Sequence, residues 1–272
     1  MSVESHYLSF RSSIIHYTRS GQGSDWLFCF HGYGEDASSF SIFHQLLANR
    51  YTLIAIDLPF HGKTDWQEGL LLEPADLISI INQIKTASQP ISLIGYSMGG
   101  RVALQLLQLI PEQITQLLLV APDGLHKNKW QWFSTRTFIG KRLFAYAIKN
   151  PGWLLTIVDL AGKMSLYDKR LLKFIHYYLD EEGQREILFR RWTTLRKFRP
   201  VKDLLKKNIQ AYQISVNLLF GKYDKVILTK HGRAFNNHLE KYIKVIEIDA
   251  GHQLMKEKYA LIMASLLMPI KG

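Results

Sequence analysis

Short apolar runs alternate with amphipathic stretches over the first 120 residues of the chain. Trp26 to Phe30 and Tyr51 to Ile56 are aromatic and β-branched runs, each closed by a turn signal, HGYG or DLPFHG. That combination predicts buried parallel strands. Between them Ser38 to Asn49 carries a mixed pattern that predicts a helix, and Asp76 to Lys85 predicts an amphipathic one. Ile91 to Ile94 reads as a third strand. From Met98 the apolar positions Val102, Leu106, Leu107 and Ile110 share one helical face, Pro111 ends the helix, and Leu117 to Val120 follows as a fourth strand. Strand and helix in alternation predict an α/β fold, with a mostly parallel, doubly wound sheet flanked by helices.

After Ala121-Pro122 the rhythm stops. A long stretch rich in Trp, Phe, Tyr, Lys and Arg shows no strand alternation and reads as several helices. Strand and helix return with Ser215 to Phe220, Lys230 to Leu239, Lys244 to Ile248 and Glu257 to Leu267. The pattern therefore predicts one core domain, residues 1–122 and 201–272, interrupted by an insertion at 123–200.

A length of 272 residues and 47% hydrophobic content suit one large domain with a substantial core. The lone cysteine, Cys29, lies in an apolar run, so neither an internal disulfide nor a cysteine metal cluster is open to the chain. The N-terminus shows no charged start followed by an apolar stretch, and no run of about 18 apolar residues occurs. A cytoplasmic location is the expectation.

Ile91-Ser-Leu-Ile-Gly95-Tyr96-Ser97-Met98-Gly99-Gly100 is a strand, then G-x-S-x-G, then a helix. In that context the motif predicts a serine on a tight turn with its hydroxyl lifted above the sheet, and Gly95 and Gly99 remove side chains that would collide there. A serine hydroxyl attacks poorly unless an imidazole takes its proton and a carboxylate holds the imidazole. His252 in DAGHQ and Asp224 in FGKYD each follow an apolar strand, at the end of the sheet where ligands bind. Ser97 is therefore the candidate nucleophile, His252 the base and Asp224 its orienting acid. Asp249 stands too near His252 in the chain to serve, and Asp57 reads as a loop-fixing acid. No histidine spacing suggests a metal site, and no cofactor is expected.

HGYGE, DLPFHGKT, GYSMGGR, GKYD and AGHQ, in that order, resemble the α/β-hydrolase fold superfamily over nearly the whole chain. The resemblance implies an oxyanion hole built from the backbone N–H groups of Tyr33 and Met98, with His31 holding its loop. It also makes the insertion at 123–200 a helical cap. Some members carry the acid after the fourth strand, which would place it at Asp123, and in the usual D-x-x-G-x-G segment Phe60 stands where the first glycine is expected. The activity implied is that of a serine hydrolase cleaving a small carboxylic ester or thioester through an acyl-enzyme.

From Asp123 to Pro200 there are 16 Lys and Arg against 7 Asp and Glu, which concentrates +9 of the formal +11 on the insertion. Aromatics including Trp130, Trp132, Phe133, Phe138, Trp153 and Trp192 are interleaved with this charge. Packing accounts for most of them. The mixture also suits an anionic substrate or weak association with an anionic membrane surface, whereas no nucleic-acid motif accompanies it. GYSMGGR is also similar to menaquinone-pathway synthases of this fold, which implies a substrate-binding role for Arg101 and a lyase as the alternative activity. A non-catalytic ligand-binding protein on a hydrolase scaffold is the third class.

Overall fold

The computed structural model of the chain describes residues 3–85, 89–126, 133–135, 137–153, 155–156, 160 and 180–268. Trp130 and Trp132 lie outside these. The described residues divide into two compact units, Met1–His126 with Phe198–Gly272, and Lys127–Lys197.

In the first unit the chain begins with an antiparallel pair, β1 (Glu4–Phe10) and β2 (Ser13–Ser20). Neither is among the predicted elements, because β1 is largely exposed and its polar residues mask the two-residue alternation. β3 (Asp25–Phe30) follows, then a 3-10 turn (Ala37–Phe43) that runs into the short α1 (His44–Leu47), then β4 (Tyr51–Ile56). The single helix expected over Ser38 to Asn49 is thus mostly a tighter turn. Asp36 starts it by accepting the Ser38 N–H at 2.8 Å, and the 3-10 repeat of three places Phe40 and Phe43 on one side, where both are fully buried.

Next come α2 (Pro74–Ile84), β5 (Ile91–Tyr96), α3 (Met98–Leu109) and β6 (Ile114–Val120). In the second unit α4 (Phe138–Lys149) packs on α5 (Glu182–Thr194) through Phe144, whose ring lies 5.3 Å from Phe189 and 5.8 Å from Trp192. The first unit resumes with α6 (Lys202–Ala211), β7 (Ser215–Gly221), α7 (Thr229–Asn236), β8 (Ile243–Ile248) and α8 (Glu257–Ser265). Asn208 on α6 donates to the carbonyls of Leu107 and Gln108, which satisfies acceptors left open at the end of α3.

The strands form one sheet in the order β1-β2-β4-β3-β5-β6-β7-β8, antiparallel at β1 and β2 and parallel from β4 to β8. Every residue of β4 and β5 is buried, as expected for parallel strands covered on both faces, and this explains their unbroken apolar text. From β3 the chain steps to β4 on one side and then returns to β5 on the other. Such a reversal opens a crevice beyond the carboxyl ends of the two central strands. Among the described residues no helix is long and apolar enough to cross a membrane.

α3 sits so close to β3 that a Cβ on Gly99 would run into the Phe30 carbonyl oxygen. Backbone cannot yield as a side chain can, so Gly99→Ala should cost about 1–3 kcal/mol. At roughly 2–4 °C per kcal/mol for a domain of this size, thermal unfolding should show a drop of several degrees. Gly183→Ala in α5, where an added Cβ meets nothing within 4 Å, should show none.

Candidate active site

Ser97 sits between β5 and α3 with φ +48° and ψ −111°, a backbone conformation that an L-residue with a side chain adopts only under constraint. Three hydrogen bonds supply the constraint. The Ser97 N–H donates to Val120 at the end of β6 (2.9 Å), and the Ser97 carbonyl accepts from Gly100 (2.9 Å) and from Asp123 (2.8 Å). The hydroxyl is thereby presented at the carboxyl end of the central strand. Met98 opens α3, so its N–H has no carbonyl one turn back along the helix.

Asp224 and His252 come from the loops after β7 and β8. Those loops are zipped beyond the sheet by Lys222 N–H to Ile248 O (2.8 Å) and Tyr223 N–H to Ala250 O (2.9 Å). Gly221 permits this approach, since a Cβ there would meet the Ala250 carbonyl oxygen at 2.6 Å. The buried Asp224 carboxylate is fully engaged: Oδ1 accepts the N–H groups of Val226 (2.7 Å) and Ile227 (2.9 Å), and Oδ2 lies 2.7 Å from His252 Nδ1. With Nδ1–H donating to that carboxylate, Nε2 is left as an acceptor, 3.0 Å from Ser97 Oγ. The three residues picked out from the sequence therefore stand in one hydrogen-bonded chain.

The model of the alpha/beta hydrolase family matches residues 27–257. The chain belongs to that family. Over 258 residues this hydrolase is 24% identical to the hydrolase YugF of Bacillus subtilis, with 91% of this chain and 89% of the relative covered. It is 25% identical over 222 residues to a pimeloyl-[acyl-carrier protein] methyl ester esterase of Nitrosomonas europaea, 80% of each chain being covered. The dihydrolipoyllysine-residue acetyltransferase component of the acetoin cleaving system of Cupriavidus necator is 31% identical over 112 residues, and the match spans 40% of this chain and 30% of that protein's length. Among solved structures a thermophilic esterase from Thermogutta terrifontis superposes with a TM-score of 0.67 at 16% identity, covering 98% of this chain and 97% of the other, a likeness of fold.

Around the hydrolase site the loops after β3 and β4 hold each other. His31, fully buried, donates from Nδ1 to the Gly32 carbonyl (2.8 Å) and accepts the Leu58 N–H at Nε2 (3.1 Å), so both ring nitrogens serve the loop that carries Tyr33. Asp57 accepts from the N–H groups of Ala37 (2.6 Å) and Lys63 (2.7 Å) and pairs with His16 at 2.7 Å, the contacts of an acid that ties loops together. Phe60 takes φ +64° where the family's text would offer glycine, so the turn is kept with a side chain in the left-handed region.

Arg101 is buried, with Nε 3.4 Å from Asp123 Oδ2. That ion pair links α3 to the loop whose Asp123 N–H holds the Ser97 carbonyl. It also places the Asp123 carboxylate against the arginine, while the contact to His252 belongs to Asp224.

Two further residues of the site escape a reading of the sequence. The Tyr96 hydroxyl donates to the His252 carbonyl (3.0 Å), and its ring lies 5.7 Å from the imidazole. Burial pushes its phenol far up, and the Glu35 and Asp224 carboxylates push the same way, so it remains a donor. Glu35, in the loop after β3, has one buried carboxylate oxygen with no hydrogen-bond partner among the described residues. Burial raises its pKa, against hydrogen bonds from Ser39 and Gly32 and the nearby His252, all of which lower it.

The geometry ranks the two acids. Asp224→Asn should reduce kcat on the order of 10³-fold or more, because an amide can hold the imidazole in the wrong tautomer and lacks the charge that stabilises imidazolium. Asp123→Asn should cost far less, and steady-state kinetics of the two variants side by side give the ranking.

Proposed function

We propose that the protein cleaves a small carboxylic ester or thioester through an acyl-enzyme on Ser97. The observation that carries this reading is the pair of hydrogen bonds from Ser97 Oγ to His252 Nε2 and from His252 Nδ1 to Asp224 Oδ2, at 3.0 and 2.7 Å. Ser97 Oγ attacks the carbonyl carbon while Nε2 takes its proton, and Asp224 stabilises the imidazolium. The developing oxyanion is met by the N–H groups of Met98 and Tyr33, each worth about 10²-fold or more. Collapse expels the alcohol or thiol, which takes the proton back from Nε2. Water then enters by the same path and releases the acid.

Support for an ester comes from the name of the Nitrosomonas relative, a methyl ester esterase. In this reading residues 123–200 are the helical cap that selects the substrate, and Tyr96 positions the imidazole from behind. Arg101 carries a second feature of the reading, an anionic substrate. It is a buried cation four residues after Ser97 whose Nε, 3.4 Å from Asp123 Oδ2, makes no hydrogen bond among the described residues. A substrate carboxylate would complete it with a charge-assisted hydrogen bond.

Ser97→Ala should abolish both ester hydrolysis and labelling by a fluorophosphonate probe with the unfolding temperature unchanged. An ester series from acetate to palmitate would locate the acyl preference. Full turnover by Ser97→Ala would overturn the assignment, and pyruvate release from an isochorismate-derived acid with no acyl-enzyme burst on esters would move the protein to the lyase reading.

For an anionic ester, kcat/KM should fall steeply with added salt as the field of the basic residues is screened over a Debye length of about 8 Å at physiological ionic strength. A neutral ester of similar size should change little. Arg101→Ala should raise KM for the anionic ester selectively. Equal responses of both esters would remove the anionic substrate.

A further inference from the structure

α4 is apolar on two sides. Its Phe144 and buried Ala147 face α5. At about 100° per residue four other large apolar residues fall together on the other side, and they are exposed: Phe138 69%, Ile139 70%, Leu143 45% and Tyr146 57%. A globular helix ordinarily turns such a stripe inward and leaves its polar face to water. Singly exposed apolar residues occur on any protein, but four within twelve residues of one helix make a patch that implies a partner.

The character of the partner follows from what is set among these residues. Arg142 and Lys149 lie within the same arc, and Lys141 flanks it, all exposed. The Arg142 guanidinium stands 4.4 Å from the Phe138 ring centroid, so cation and aromatic occupy one surface. No acidic residue occurs on α4, and the insertion around it carries +9. Aromatic and aliphatic side chains mixed with Lys and Arg on one helical face match a bilayer interface, where the apolar groups enter the boundary of the acyl chains and the cations meet phosphate. A second copy of this chain would bring another excess of positive charge to the same face.

We propose that the outer face of α4 docks the protein on an anionic phospholipid surface. The helix lies in the interface plane. Phe138, Ile139, Leu143 and Tyr146 insert to shallow depth, and Arg142 and Lys149 pair with headgroup phosphates. This goes beyond the hydrolase reading and does not depend on the chemistry at Ser97.

The test is sedimentation of the full chain with vesicles of phosphatidylcholine alone or with 30 mol% phosphatidylglycerol, a composition chosen as a roughly physiological anionic load. The expected result is binding at least tenfold tighter to the anionic vesicles, weakened by salt, and reduced at least tenfold both in Ile139→Ser/Leu143→Ser and in Arg142→Glu/Lys149→Glu. Because all four side chains are exposed, the unfolding temperatures should stay with the wild type. Failure of the wild-type chain to bind anionic vesicles, or equal binding by both variants, overturns the proposal. So does a wild-type dimer that the Ile139/Leu143 variant dissociates, which would make the face an interface between copies. Loss of kcat/KM on a water-soluble butyrate ester with vesicle binding intact would assign the face to substrate. Vesicle binding without esterase activity would leave the docking surface standing and sink the hydrolytic reading alone.

Discussion

The left-handed backbone at Ser97 is the constraint on which the site depends. A serine at φ +48° costs on the order of 1–3 kcal/mol and persists only where its surroundings leave no alternative. Here the peptide is held by the Val120 carbonyl on one side and by the Gly100 and Asp123 N–H groups on the other. The packing that allows this is equally specific, since α3 rests directly on the Phe30 carbonyl. A looser elbow would relax toward the helix and lower the hydroxyl into the sheet. The strain is thus a consequence of presenting Oγ, and the stability of β5, β6 and α3 offsets it.

A second constraint converts sequence distance into contact. Asp224 and His252 belong to neighbouring parallel strands, and the hydrogen bonds from Lys222 and Tyr223 continue that pairing past the end of the sheet. Asp224 then has no freedom left, because its carboxylate is shared between two backbone N–H groups and the imidazole. Tyr96 adds a hold from the end of β5, linking the residue before Ser97 to the His252 backbone. Serine and histidine are therefore fixed relative to one another by two routes, one through the acid and one through the phenol. Preorganisation of this kind spares the reaction the entropy of bringing the groups together.

The core was legible because buried parallel strands write themselves as unbroken apolar runs and because the elbow demands small residues at fixed offsets. Ser97, Asp224 and His252 could be picked out for the same reason, each standing just past such a run. What escaped reading depends on tertiary context. β1 and β2 form an edge pair whose polar residues hide their alternation, and the 3-10 turn at Ala37–Phe43 follows from Asp36 capping Ser38, which outweighs the mixed helical pattern. Tyr96 is the variable position of its motif, and its partner lies 156 residues away. Glu35 closes HGYGE with no role assigned to it there, and only the folding of the loop after β3 shows that one of its oxygens is buried.

Charge divides the chain as sharply as packing does. The core holds the strained Ser97 among close pairs of ionisable groups: Asp57 with His16, Asp123 with Arg101, Asp224 with His252. The insertion carries almost all of the net positive charge, and on α4 that charge is mixed with bare apolar side chains. Fields from exposed cations act over about a Debye length, whereas the core's hydrogen-bonded pairs act at contact, so salt separates the two contributions. Chemistry at Ser97 should be nearly indifferent to ionic strength, while anything that approaches the insertion should feel it. The geometry around Ser97 is thus set by contacts within the sheet and its loops, while the long-range field of the chain is set by residues outside the sheet.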